Sequence, residues 1–443
     1  MEIRTVSNQT NLFGETSSVN EALEVLSTCE LLQVDTETIG NYMDGYIYTL
    51  QLGDGNVAFV IDCTTIDILL FKNLLETKTL LLQNAKYDLK WFYNHNIRPT
   101  QIIDTLLAEC VLTCGIKDRK LKLDALAMKY CGVTLDKTIR GKINYLGLTK
   151  EVIEYAAGDV MYLEKIWKHQ KLLLEQKHLM KVAQLEFDAC LLFAEMEWNG
   201  IRLNREKWME NVIQTSLLLE GKLEKLNSYL LKSSYKVQVQ FGLFEQDKVF
   251  FNWNSPLQVK HVFEHILNRP FNSVSEKEIE RIVHPLIKMY LEFKDLQTQL
   301  SKYGKNFLNW IKKDGKVHTD YWQIVNSGRV SSGNDEAPNM QNIPKEDKFR
   351  ECFESDEGKS FIIADYSSQE LIIIAEDSKE KVFIDAINNG WDLHSFVAEI
   401  VFGDKWLDAA EFGCDYIKTK SKCSCKEHKK MRNSVKTLNY ALS

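Results

Sequence analysis

The chain has 443 residues, and at roughly 150 residues per domain it holds two to four domains. A hydrophobic fraction of 44% with a charged fraction of 26% excludes disordered, collagenous and coiled-coil proteins, and no stretch nears the length of apolar sequence that crosses a membrane. Net charge is −7, against a simple nucleic-acid coat, but it is unevenly placed: residues 1–70 hold 11 acids and the single base Arg4, while residues 405–443 hold nine bases and four acids. In chain order, residues 30–34 lead into a strand ending near Asp35-Thr36-Glu37-Thr38. Residues 46–52 and 56–62 read as a hairpin turning on Gly53-Asp54-Gly55. A short buried strand at 80–83 precedes a helix beginning at 85–95. Apolar spacing is helical from 121 to about 185, with Gly132 as a C-cap, and a long helical run covers 152–192. A turn and short strand follow at 198–204, then amphipathic helices at 205–232 and 276–312. Between those two helices, Asn254-Ser255-Pro256 marks a helix start. Residues 317–325 read as a strand, 326–345 as a loop, and 361–367 (FIIADYS) as a buried strand of near-continuous apolar character. The remainder is helical with a polar, cysteine-bearing insertion.

The first acidic motif is Asp35-Thr36-Glu37, where the two-residue period of a strand puts both carboxylates on one face. Two such acids repel unless a cation lies between them, and hard oxygen ligands suit Mg²⁺ or Mn²⁺. Asp88 lies one turn into a helix that follows an apolar strand, and Tyr155 and Asp159 share a helix face at i and i+4. Singly, each block also fits a solvated strand end, a first-turn acid or a helix-surface contact. In this order and at these spacings, the blocks resemble the three motifs of the DEDD-type 3′–5′ exonucleases with a Tyr-x-x-x-Asp third motif. That resemblance implies an RNase H-like fold in which Asp35, Glu37, Asp88 and Asp159 hold two divalent ions and Tyr155 orients the attacking water. The second motif departs mildly, with Gln83-Asn84 in place of His-Asn.

The second half resembles a family A DNA polymerase. FDACLLFAEMEWNGIRLN (187–204), FNWNSPLQVKHVF (251–263), SGRVSSGNDEAPNMQNIP (327–344), ADYSSQEL (364–371) and RNSVKTLNYALS (432–443) appear in that family's order. The resemblance makes Asp365 and the backbone carbonyl of Tyr366 polymerase metal ligands. It makes Glu370 the acid beneath the incoming sugar that excludes a 2′-hydroxyl. Arg432 and Lys436, at i and i+4, with Tyr440 continuing the face, would hold a triphosphate and stack near a base, and His394 in WDLH would touch triphosphate as well. Arg329, Asn339, Gln341 and Asn342 suit primer–template backbone and minor-groove edges. The family's second palm carboxylate in a His-Asp-Glu context does not occur, so the chain alone is expected not to polymerise and to work with a separate C-terminal fragment.

Cys414, Cys423, Cys425 and His428 are four soft ligands within fifteen positions, a set able to bind zinc. Cys-x-Cys-x-x-His after an eight-residue gap fits no standard knuckle, which favours a reduced, lysine-rich surface loop. Ten cysteines and an N-terminus without a signal-peptide layout fit a cytoplasmic protein of a bacterial or virus-infected bacterial cell, away from membranes. The expected architecture is mixed α/β: an exonuclease domain (1–185), a linker and mostly helical thumb (186–316), and the beginning of a palm and fingers (317–443). Its partners are DNA primer–template, single-stranded 3′ ends and dNTPs. Two rivals remain at this stage: a 3′–5′ exonuclease on a polymerase-derived DNA-binding platform, and a non-catalytic primer–template-binding subunit.

Overall fold

The computed structural model describes residues 2–9, 15–135, 138–139, 143–240 and 248–442, which fall into two compact units, Met1–Glu357 and Gly358–Ser443. The first unit opens with seven strands: β1 (Glu2–Val6), β2 (Glu15–Thr16), β3 (Leu31–Ile39), β4 (Tyr46–Gly53), β5 (Val57–Asp62), β6 (Thr79–Leu82) and β7 (Ile102–Asp104). They form one sheet in the order β2-β1-β5-β4-β3-β6-β7. β3, β4 and β5 run antiparallel, and β6 and β7 extend the sheet in parallel from β3. The β4–β5 turn forms because the Asp54 carboxylate accepts the N–H groups of Asn56 and Val57, both at 2.8 Å, while Gly55 takes φ +95°, a conformation that glycine adopts without strain.

Alternation along β3 sets the site. Leu32, Val34 and Thr36 are buried on one face, and Asp35 and Glu37 point the other way, half-exposed. The helix Lys150–Met161, capped by Thr149, packs on β3, β4 and β5. The run expected to be continuous from 152 to 192 divides into three helices, Lys150–Met161, Leu163–Gln176 and Met180–Asn199. His178, at φ +58°, stands in the second break and cannot continue a right-handed helix.

Beyond it, helix Arg205–Lys232 packs along helix Pro285–Tyr303. Their shared core centres on Trp253, whose indole N–H donates to Asn227 at 2.9 Å, with Leu226, Leu230, Phe263 and Tyr290 around it. Ser255 caps helix Pro256–Leu267, with Pro256 at its first position. The strand expected over 317–325 is two short pieces, Lys316–Val317 and Tyr321–Trp322. Between them, buried His318 and Thr319 bond to the Glu197 and Pro338 carbonyls instead of to a neighbouring strand.

The second unit is helical: Gln369–Ser378, Lys381–Asn388, Leu393–Phe402, two one-turn helices, and Lys426–Leu442. The buried strand expected at 361–367 is not formed. The segment is extended and exposed, and no strand among the described residues pairs with it. An apolar run becomes a strand only where a neighbour takes up its N–H and C=O groups, and composition carries no record of that neighbour.

Candidate active site

β3 and the Lys150–Met161 helix bring three carboxylates together. One ligand oxygen from each of Asp35, Glu37 and Asp159 lies within 4.8 Å of the other two. Asp35 and Glu37 sit opposite Gln51 and Thr49 of β4, and the register slips directly after Glu37. Such an irregularity re-aims the side chains beside it. Asp159 and Tyr155 are buried one turn apart, with Tyr155 packed against Ile143 and Val152. A groove of about 340 Å³, open to solvent, runs along this helix past Val133, Leu135, Ile139, Tyr155, Gly158 and Asp159. Three converging hard oxygen donors, of which Asp159 lines the groove, fit divalent ions such as Mg²⁺ or Mn²⁺.

Asp88, the fourth acid, does not join that cluster. Its Oδ1 accepts the Thr36 hydroxyl at 2.6 Å, so it meets β3 at the residue between Asp35 and Glu37. Burial raises its pKa to about 7, with nearby Asp104 adding to the rise and the Thr36 bond opposing it. Asp88 is therefore held largely as the neutral acid below neutral pH, and a neighbouring divalent cation would favour its ionised form.

Two positioning devices escape sequence reasoning. Asp104 caps the helix Thr105–Leu112 and is fully buried. Its oxygens accept the N–H groups of Leu106 (2.8 Å), Asn84 (2.9 Å) and Ala85 (2.8 Å), fixing the turn that aims Asp88. Asn84 takes φ +64°, a conformation asparagine tolerates better than most residues. The second device is Glu197, which is buried and accepts from Lys86 (2.5 Å), Lys90 (2.8 Å) and the Tyr321 N–H (2.7 Å). It clamps the Asp88-bearing helix to the Met180–Asn199 helix across 111 residues of sequence. The adjacency of Asp104 to a helix start was a legible signal, whereas the Lys86–Glu197 pairing left none.

Arg329 is exposed on a loop closed by its own carbonyl accepting from Val325 N–H at 3.0 Å. The Asn339 side-chain oxygen is committed to holding the next turn, accepting from the Gln341 and Asn342 N–H groups and from the Ser332 hydroxyl. Asn342 in turn receives the Tyr303 hydroxyl on its carbonyl. In the second unit, Asp365, Tyr366 and Glu370 are exposed, and Asp365 belongs to no group of three or more metal-type donors among the described residues. His394 is buried, and burial followed by the charge of Arg432 lowers its pKa. The Arg432 guanidinium grips Asp392 through two bonds, at 2.7 and 2.8 Å. Lys436 is exposed one turn further on, and the Tyr440 side chain lies outside the described ones. Cys414, Cys423, Cys425 and His428 do converge, with donor atoms within 4.8 Å of one another and all but Cys423 buried. That corrects the surface-loop expectation: the insertion folds inward onto Trp406 and Tyr416.

Comparison with known proteins bears on both halves. The profile of DNA polymerase family A matches residues 222–442, and that of the 3′-5′ exonuclease matches residues 13–175. The chain belongs to DNA polymerase family A and carries a 3′-5′ exonuclease domain. DNA polymerase I of Aquifex aeolicus (strain VF5) is 26% identical over 412 residues, spanning 87% of this chain and 67% of that protein. DNA polymerase I of Borreliella burgdorferi is 29% identical over 355 residues, spanning 75% of this chain and 36% of that protein. The chain thus covers about two thirds of the first relative's length and about a third of the second's. Its fold resembles the POL domain of Pol1 from M. smegmatis, solved with DNA primer-template and dNTP, at TM-score 0.71 and 22% identity, over 96% of this chain and 70% of that one. Domains of these two families use divalent metal ions. Among the described residues, no helix is long and apolar enough to cross a membrane.

Proposed function

We propose that this chain is a replicative or repair DNA polymerase component whose N-terminal domain removes nucleotides from DNA 3′ ends. The observation that carries this reading is the convergence of Asp35, Glu37 and Asp159 beside Tyr155, with Asp88 behind them. Two Mg²⁺ or Mn²⁺ ions held by these acids would activate water and offset charge on the phosphodiester. Tyr155 orients the water, and the groove beside Asp159 admits a single strand. A platform that only gripped DNA gains nothing from acids crowded this closely, since they repel one another and the phosphate alike.

For the polymerase half the same reading assigns Asp365 and the Tyr366 carbonyl to metal, Glu370 to the sugar, and His394, Arg432, Lys436 and Tyr440 to the nucleotide. Arg329, Asn339, Gln341 and Asn342 face primer–template. The division at about 185 and 317 belongs to this proposal, as do DNA and dNTPs as partners, for which the Pol1 complex with primer-template and dNTP is the support. Arg432 would then trade part of its Asp392 pair for phosphate.

The deciding experiment uses a 5′-labelled single strand with Mg²⁺ or Mn²⁺. The chain shortens it from the 3′ end, and Asp35→Ala with Glu37→Ala lowers the rate by about 100-fold or more while the protein stays folded. Undiminished digestion by the double variant overturns the site.

A further inference from the structure

We propose that Cys414, Cys423, Cys425 and His428 bind one structural zinc ion, which pins residues 404–425 to the first turn of the Lys426–Leu442 helix. The four donors come from that segment and from the third residue of the helix. Zinc with sulfur at about 2.3 Å and nitrogen at about 2.0–2.1 Å demands donor–donor edges of about 3.5–3.8 Å. His428 Nδ1 lies 3.5 Å from Cys414 Sγ and 3.2 Å from Cys423 Sγ, and all four donors fall within 4.8 Å of each other.

The imidazole is set for ligation. Its Nε2 lies 2.6 Å from the Trp406 carbonyl, a distance that requires an N–H there and leaves the Nδ1 lone pair aimed at the sulfurs. A parallel stack on the Trp406 ring, centroids 3.9 Å apart, holds the ring in this orientation. Without metal, the thiols meet one another and the single nitrogen lone pair only through weak S–H hydrogen bonds. A cation at the centre takes all four. No carboxylate is among the donors, so the set is soft and selects zinc over the hard ions suited to Asp35, Glu37 and Asp159. Three thiolates on Zn²⁺ leave a charge of −1, and six lysines between positions 418 and 430 lie in the surrounding sequence to balance it.

The surroundings explain what the ion would do. The helices Asp404–Asp408 and Asp415–Thr419 have five residues each, too short to hold themselves. The core beneath them is small: Ala398, Trp406, Tyr416 and Val435 beside the cysteines. Zinc would supply the cross-link that such a core cannot. It would also fix the helix one turn before Arg432 and two before Lys436, and so the direction in which those cations point.

The proposal concerns metal content and needs no catalytic reading. The full chain, purified under thiol reductant without chelator, is assayed for metal by mass spectrometry. One zinc per chain is expected, and the same in the Asp35→Ala, Glu37→Ala background, which removes the carboxylate site from the count. Cobalt(II) exchanged into that background should show thiolate charge-transfer bands and the intense visible absorption of a tetrahedral site. Cys423→Ser with Cys425→Ser should lose both zinc and those bands. Zinc far below one per chain, or a cobalt spectrum without thiolate bands, overturns the proposal. The parent chain's cobalt spectrum decides the matter even where the double variant fails to fold.

Discussion

At Asp392, one carboxylate joins two helices. Its oxygens accept the Ser395 N–H at 2.9 Å, capping helix Leu393–Phe402, and both arms of the Arg432 fork from helix Lys426–Leu442. Burial alone would raise its pKa, yet the Arg432 and Ser395 bonds prevail and lower it from 3.8 to about 2. A depressed folded pKa means stability that is fully present above the unfolded value and is lost as pH falls through the folded one, here between about pH 4 and pH 2. At 1.36 kcal/mol per unit, the contribution at pH 7 is about 2 kcal/mol. Asp392→Asn keeps an acceptor for the Ser395 N–H and loses the ion pair. It should therefore lower the unfolding free energy by about that amount at pH 7, with the gap to the parent closing near pH 2. Denaturant titrations of both proteins across that range test it, and a gap independent of pH would show that the pair is not what stabilises the helices.

Between elements, one buried tie is ionic. Glu197 is buried with Lys86 and Lys90, whose side chains are 16% and 13% exposed, so the three charges share a poorly solvated space between two helices and the Tyr321 segment. Removing one partner of such a group strands the others, at a cost of about 3–5 kcal/mol. Glu197→Ala should destabilise the chain by that order and, because Lys86 and Lys90 flank Asp88, slow 3′-end digestion as well. Glu197→Leu combined with Lys86→Met and Lys90→Met should recover much of the stability, since the one charge left without its lysine, Asp320, is part-exposed. Loss below about 1 kcal/mol in the single variant would mean that water reaches the group. None of this was legible in the sequence, because Lys86 and Glu197 are ordinary residues on ordinary helices until the fold brings them together. Strand period and helix spacing fix the shared face of Asp35 with Glu37 and of Tyr155 with Asp159 without tertiary knowledge, and the resemblance to the exonucleases implied that the two pairs meet. Asp88 was found as a residue, but not its Thr36 partner. The cysteines were counted, but their spacing hid a convergence that depends on two one-turn helices folding back.

For the whole chain, the sequence read truest where local period and burial agree, and failed where a segment's state depends on distant neighbours. Phe361–Ser367 is the clearest failure. Four of its seven residues are large and apolar or aromatic, yet Ile362 is 95%, Ile363 91% and Tyr366 80% exposed. The segment follows directly on the boundary between the two compact units, at Glu357 and Gly358. An extended backbone without ladder partners enters a protease cleft without local unfolding, whereas helices and paired strands must first open. Phe361 and Tyr366 are both chymotrypsin sites in that segment. Brief digestion of the folded chain should therefore cut there first, releasing fragments close to residues 1–361 or 1–366 and their complements, before any cut within β1–β7. Mass spectrometry of the earliest products reads the outcome. A primer–template that orders this segment should slow the cut if Asp365, which lies within it, holds the polymerase metal as proposed. First cleavage elsewhere, with Phe361 and Tyr366 protected in the DNA-free chain, would mean that these residues are paired as a buried strand in solution, as their composition first suggested.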